Sequence, residues 1–398
     1  MTINRYILSS EFCESVRDGT HDTPKQTNSG YRLVTSKHIK NGQINSDEGY
    51  FISEKDFKKI NERSLVDQWD VLMSMIGTIG EAAIVKDQPK YAIKNVALFK
   101  CGDELKAKWL YYFLCSPEGK GQLFSNQKGA SQQFVSLTQL RNLQIPIRDQ
   151  STMKKITDIL SAYDYLIENN QKQIRLLEEA AMRLYKEWFV NLRFPGYENT
   201  KIIDGVPEGW RQGQLREYIK VNPRSISKNY PYQEIQYIDI GSVNHGRIEK
   251  ITTYRLSDAP GRAKRLACDG DTIWGMVRPN LKAYALVLSP GENYVFSTGF
   301  AILSPKNIPY TFLYCLVTQD SFVGYLINCT NGSAYPAVKP IHFEEAKVII
   351  PDEGLLVKFH DIVNPLYRRI KVIENQNLYL EEARDRLLPK LMSGEIEV

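Results

Sequence analysis

The chain has 398 residues, 42% of them hydrophobic, with 51 basic against 46 acidic side chains and a formal charge of +5. That is enough chain for two or three domains with buried cores and too apolar a composition for disorder, while the charge permits a nucleic-acid partner without requiring one. The longest uninterrupted apolar run, Trp109 to Cys115, is seven residues, far short of the ~20 that a membrane helix needs. The opening MTINRYILSS lacks the basic-then-apolar order of a secretion signal, so the expected location is the cytoplasm, with no membrane partner. Six cysteines (Cys13, Cys101, Cys115, Cys268, Cys315, Cys329) form no C-x-x-C pair and are expected as reduced thiols rather than zinc ligands or disulfides.

In chain order, the sequence repeats itself at a spacing of about 200 residues. Tyr31 to Ile44 matches Ile235 to Ile248, a strand pattern followed by a turn at Gly42 or Gly246. Asp70 to Val85 matches Asp271 to Val287, each a strand, a turn and a second strand, with Val71, Met73 and Met75 in strand period. Lys106 to Asn126 reads as a helix whose apolar part, Trp109 to Cys115, resembles Tyr310 to Cys315, and Gly129-Ala-Ser matches Gly332-Ser-Ala. Finally Leu177-Glu-Glu-Ala-x-x-Arg-Leu reappears from Leu380 to Leu387.

Two long helices close the two copies. Ile156, Leu160, Tyr163, Ile167, Asn170, Ile174, Leu177, Ala181, Leu184 and Trp188 step 4, 3, 4, 3, the seam of a coiled coil, and Phe359, Val363, Leu366, Ile370, Ile373, Asn377, Leu380, Arg384, Leu387 and Leu391 repeat the steps 203 residues later. Laid parallel, Asn170 faces Ile373 and Asn377 faces Ile174, leaving two buried amides unpaired at ~1–3 kcal/mol each. Laid antiparallel, partner numbers sum to 547 and Asn170 meets Asn377, a polar pair that fixes register. The same register sets Trp188 on Phe359, Ile174 on Ile373 and Tyr163 against the stem of Arg384. Ile156 to Trp188 then forms a rod of roughly 50 Å, with a domain expected at either end and an approximate two-fold axis across it.

The expected fold class is α+β: two tandem-repeated mixed α/β domains separated by an antiparallel pair of long coiled-coil helices. The expected domains are a first mixed domain at 1–150, a first spacer helix at 151–192, a linker and second mixed domain at 193–350, and a second spacer helix with C-terminal box at 351–398. The Pro- and Gly-rich run from Arg193 to Trp210 marks the boundary between the copies.

No catalytic motif stands out. Asn222-Pro-Arg and Asn364-Pro-Leu lack the second proline and aromatic of an amino-methyltransferase tetrad, Gly119-Lys120-Gly121 fails the phosphate-loop pattern, and His21, His38, His245, His342 and His360 have no metal-ligand spacing.

Several stretches resemble a known family. Asp18-Gly-Thr-His-Asp-Thr-Pro24 with Val34-Thr-Ser-Lys-His-Ile39, Leu184-Tyr-Lys-Glu-Trp-Phe189, Val206-Pro-Glu-Gly-Trp210, and above all Arg384-Asp-Arg-Leu-Leu-Pro-Lys-Leu-Met-Ser-Gly-Glu-Ile396 are similar to the specificity (S) subunit of type I restriction-modification systems. The resemblance implies a non-catalytic subunit whose two domains each read half of a split duplex DNA target. It also implies two modification subunits that methylate adenine with S-adenosylmethionine, restriction subunits that hydrolyse ATP with Mg, and no cofactor in this chain. A self-contained DNA-modifying enzyme and a coiled-coil scaffold that never touches DNA are the alternatives.

Candidate DNA contacts are donor-bearing turns at matched positions of the two copies. In the first they are His21, Thr23, Lys25, Ser36, Lys37, Lys40, Thr78, Lys128, Ser131, Gln132 and Gln133. In the second they are Arg262, Lys264, Arg265, Arg278, Asn280, Lys282, Asn331, Ser333, Tyr335 and Lys339. Lysine and arginine are expected mostly on phosphate, glutamine and asparagine on base edges. Any one of them is equally explained as a solvated loop residue; their matched placement is what singles them out.

Overall fold

A computed structural model of the chain describes residues 5–125, 134–330 and 336–398. Its backbone divides into two compact units, Met1–Asn169 with Asn377–Val398, and Asn170–Gln376.

In the first unit a four-stranded antiparallel sheet has the spatial order Ser15–Asp18, Val96–Lys100, Val71–Ser74, Ala82–Ile84. The strand period of the sequence divides this sheet between two cores. Val71, Met73, Ala97 and Phe99 pack against the helix Glu104–Cys115, whereas Leu72, Ala83, Val96 and Leu98 face a second cluster with Val34 and Ile93. Burial on both faces explains why the central strands are apolar throughout. A second sheet, ordered Tyr50–Ile52, Tyr31–Thr35, Tyr91–Lys94, joins its last two strands in parallel, and Arg5–Leu8 pairs with Gln144–Ile147.

The second unit repeats this plan. Its four-stranded sheet runs Ile219–Val221, Phe300–Pro305, Thr272–Gly275, Tyr284–Leu286, and Arg211–Gln214 pairs with Lys347–Ile350. Trp274, Ala301 and Leu303 face the helical core while Ile273, Phe300 and Ile302 face the other side. The two copies part company in one place. After Tyr50–Ile52 the first unit forms the helix Glu54–Ser64, capped by Ser53 and anchored by Phe57 stacked on Tyr31 at 3.8 Å. In the second unit the corresponding stretch follows Thr252–Arg255 and supplies an extra edge strand, Ala263–Arg265, to a sheet of order Thr252–Arg255, Glu234–Ile238, Tyr294–Ser297, Ala263–Arg265.

The first long helix spans Gln150–Tyr185 and continues as a π-helical turn, Lys186–Val190; the second spans Glu353–Ser393. In the first unit Met153, Ile156 and Leu160 share one core with Leu388, Leu391 and Met392. Arg384 Nη1 donates to Asp164 Oδ1 at 2.6 Å, and the Tyr112 hydroxyl donates to Asp164 Oδ2 at 2.7 Å. The guanidinium thus seeks the carboxylate beside the seam position at Tyr163, a partner that the apolar spacing does not reveal. In the second unit Ile174, Ala181 and Trp188 are buried with Phe359, Val363 and Ile373, and the Trp188 and Phe359 rings lie 6.0 Å apart, as the antiparallel register requires. Asn377 is 9% exposed and belongs to the first unit, Asn170 to the second.

The single helix expected over Lys106 to Asn126 is instead two, Glu104–Cys115 and Pro117–Phe124. Ser116 ends one and caps the other, its Oγ accepting from Gly119 N at 3.1 Å, and Pro117 takes the first helical position. All six cysteines are free thiols, and no helix among the described residues is long and apolar enough to cross a membrane.

Candidate nucleic-acid interface

Strand register brings His21, Thr78, Arg278, Asn280 and Lys282 to one end of a four-stranded sheet in each unit. In the first, Val96 pairs with Ser74 and Ala97 with Asp18, so the turn before Val96 and the chain after Ser74 and Asp18 all lie at that end. Here His21 Nδ1 sits 2.8 Å from Asn95 Oδ1, and its Nε2 is 3.0 Å from Asp18 Oδ2. Ser36 Oγ donates to the Asn95 carbonyl at 2.8 Å, and Lys94 Nζ donates to Thr23 Oγ1. The turn Lys94-Asn95 therefore gathers His21, Thr23 and Ser36, three candidates separated in sequence. Asn95 has a φ of +54°, a conformation that asparagine tolerates better than most residues. Neither Lys94 nor Asn95 is in the set of sequence candidates; an Asn beside a Lys between two apolar strands was the available sign.

Lys25, Lys37 and Lys40 are exposed, the last on the small hairpin Ile39–Lys40 with Gln43–Ile44, which bridges from Gly42 to Ala83. Beneath Lys37, His38 is buried and its Nδ1 accepts from Thr35 N at 3.0 Å. Burial, aided by the Lys37 ammonium, holds this imidazole below its ordinary pKa. Thr78 is exposed on the turn after Ser74, and Ile76 on the same turn bridges to Phe134, with Val135 N donating to Met75 O at 3.2 Å. Lys128, Ser131, Gln132 and Gln133, immediately before Phe134, lie outside the described residues.

The second unit offers the same end. Trp274 pairs with Tyr284 and Gly275 with Phe300, and the connecting turn carries Arg278, Asn280 and Lys282. Val338 N donates to Met276 O at 2.9 Å and Arg278 N to Pro336 O at 2.8 Å, which sets exposed Lys339 beside that turn. Lys282 is engaged, its Nζ 2.7 Å from Asp320 Oδ1. Arg262 is exposed, and its carbonyl accepts from Thr298 N at 2.8 Å at the turn that replaces Asn95. Lys264 and Arg265 lie on the edge strand Ala263–Arg265, where Arg265 bridges to Ser225 and Ile226 N donates to Lys264 O. Asn331, Ser333 and Tyr335 lie outside the described residues.

The two turns differ in how they meet the same backbone demand. Gly77 and Gly80 take left-handed φ values of +79° and +87° in the first unit; Arg278 and Lys282 take +51° and +54° in the second. Such a conformation costs a residue with a side chain ~1–2 kcal/mol. The second unit tolerates that strain at two cationic residues, held where Arg278 N donates to the Pro336 carbonyl and His245 N donates to the Lys282 carbonyl.

Among the described residues, no group of three or more His, Cys, Asp or Glu is placed to hold a metal ion. What the two sheet ends offer is cations, amides and hydroxyls on turns held by a sheet.

Comparison with known proteins gives the same direction. The family model for the type I restriction modification DNA specificity domain matches residues 10–179. The type I restriction enzyme MjaIX specificity subunit of Methanocaldococcus jannaschii is 26% identical over 364 residues, covering 87% of this chain and 82% of that protein. The MjaVIII specificity subunit of the same organism is 23% identical over 386 residues, 92% and 86% of the two chains. The crystal structure of a type I restriction-modification system S subunit from M. genitalium matches in fold, with a TM-score of 0.56 at 16% identity over 98% of this chain and 97% of that one. Residues 10–179 thus match the type I restriction modification DNA specificity domain, and along most of its length the chain is similar to type I restriction enzyme specificity subunits.

Proposed function

We propose that this chain is the DNA-recognition subunit of a type I restriction-modification complex, and that each unit reads one half of a bipartite duplex target. The observation that carries this reading is the recurrence, in both units, of donor-bearing turns at the same end of the same four-stranded sheet. The chain works through binding energy alone. Two modification subunits carrying S-adenosylmethionine methylate adenine at the chosen site, and restriction subunits supply ATP- and Mg-dependent cleavage. Losing one correct base contact costs ~1–3 kcal/mol, enough for a single domain to choose its half-site.

The test is a methylation map of DNA from cells carrying a cognate modification subunit, with and without this chain. A methylated adenine in a split motif, two short blocks around a fixed gap, is the expected result. Co-purification of the two subunits with no new methylated motif would overturn the recognition role and leave a scaffold. Methyl transfer or DNA cleavage by the purified chain alone would establish the enzyme reading instead.

A further inference from the structure

At the tip of the second unit's strand-turn-strand, Arg278 and Lys282 bracket a single 3-10 turn, Pro279–Leu281. Pro279 is buried beneath it, Asn280 points outward, and the Leu281 side chain is 54% exposed. Leu281 belongs to none of the apolar cores of this unit. The matched turn of the first unit also exposes an aliphatic residue, Ile76 at 42%. Around Leu281, among the described residues, the cations Arg278, Lys282 and Lys339 outnumber the one exposed carboxylate, Asp320, which favours a polyanion over an apolar protein face. A two-stranded ribbon fits the DNA major groove, and the one apolar feature displayed there is the 5-methyl group of thymine.

We propose that Leu281 is a specificity-determining residue that packs on a thymine methyl in the major groove of the second half-site, with Asn280 beside it on a neighbouring base edge. This rests on the recognition role proposed above. The left-handed residues aim the turn: glycines at their positions would be free of strain but would supply neither the cations nor a fixed apex. Lys282, tied to Asp320, steadies one side of the turn, and Arg278 grips the phosphate backbone on the other.

The experiment uses the complex of this chain with its modification subunit and a duplex bearing the mapped target. Each thymine of the second half-site is replaced in turn by deoxyuridine, which removes only the methyl group, and affinity is read by fluorescence anisotropy. At one position the unaltered complex should weaken about fourfold, the fold-change equivalent to one buried methyl at about 0.8 kcal/mol. A Leu281→Ala complex should be weaker on the thymine duplex and indifferent to deoxyuridine at that same position. A flat deoxyuridine scan in the unaltered complex, or an equal further loss in Leu281→Ala, overturns the contact while sequence-specific binding stands. Absence of any preference for the mapped target overturns the recognition role and this proposal with it. Because Leu281 is exposed, the substitution leaves the core intact, and unchanged binding to non-target duplex verifies this.

Discussion

Asp164 holds together three elements of the first unit, and its removal should loosen that unit alone. Its carboxylate accepts from the Arg384 guanidinium on the second long helix and from the Tyr112 hydroxyl on the helix Glu104–Cys115. Tyr112 is 2% exposed, so Asp164→Ala strands its hydroxyl without an acceptor, at ~1–3 kcal/mol. The ion pair adds less: both side chains are about a quarter exposed, and Asp385 Oδ1 remains 2.8 Å from Arg384 Nη2. Together the loss should be about 2–3 kcal/mol, a fall of roughly 5–10 °C in the melting of a unit this size. Hydrogen exchange monitored by mass spectrometry reads it locally, with faster exchange in Glu104–Cys115 and no change in Thr272–Gly275 or Phe300–Pro305. Asp164→Asn, which keeps an acceptor for Tyr112, should recover about half of the loss. A destabilisation below ~0.5 kcal/mol, or an equal effect on both units, would refute the reasoning.

Phe359→Ala should cost ~3–5 kcal/mol in urea unfolding of the second unit, because its fully buried ring meets the partly buried Phe189 at 5.0 Å and Trp188 at 6.0 Å; a loss under ~1.5 kcal/mol would mean that the site collapses onto itself. Glu178 and Glu374 are held above the ordinary carboxyl range chiefly by burial, eased for both by Arg247. A raised folded-state pKa means that the folded chain keeps its proton to higher pH than the unfolded chain does. The contribution of these two groups to stability is therefore most favourable below the unfolded value of ~4.5 and is lost as pH rises through the folded value. Glu374→Gln should flatten that fall and raise the second unit's melting temperature at pH 7, and an unchanged profile would contradict it. A Cβ on Gly42 or Gly246 would lie 2.7 Å from the Tyr111 hydroxyl or 2.9 Å from that of Tyr314, at φ values of +74° and +90°. Alanine there should cost ~1–2 kcal/mol, and pairing Gly42→Ala with Tyr111→Phe should recover part of it in thermal melts.

The repeated features were the legible ones. The 4-3 seams, the matched strand pairs from Val71 and Thr272, and the box from Arg384 to Ile396 express burial and spacing, which a sequence displays directly. Features decided by a partner distant in sequence were not. Nothing near Asp164 signals Tyr112, and nothing near His21 or Ser36 signals Asn95. The division of Lys106 to Asn126 into two helices was legible in principle, since Ser116-Pro117 is an N-cap and first-turn pair, but the apolar run on either side masks it. The exchange of the helix Glu54–Ser64 for the strand Ala263–Arg265 follows local composition: Lys- and Glu-rich EKDFKKINERS favours helix, whereas Pro260-Gly261 just before Ala263 stops one. For the candidate contacts, register placed Thr78, Arg278 and Asn280 at a sheet end, while Lys282 turned out to hold Asp320.

One consequence of the connectivity concerns the order in which the protein takes shape. The second unit is one continuous stretch, Asn170–Gln376, but the first is assembled from Met1–Asn169 and Asn377–Val398. As the chain emerges from the ribosome, the second unit has all of its residues before the first does. Trp109, Ile156 and Leu160 must wait for Leu388, Leu391 and Met392, so an apolar surface stays open through the synthesis of more than 200 intervening residues. Vectorial synthesis therefore makes the earlier-translated unit the later to close, and nascent-chain proteolysis should find it cleavable after its neighbour has become resistant.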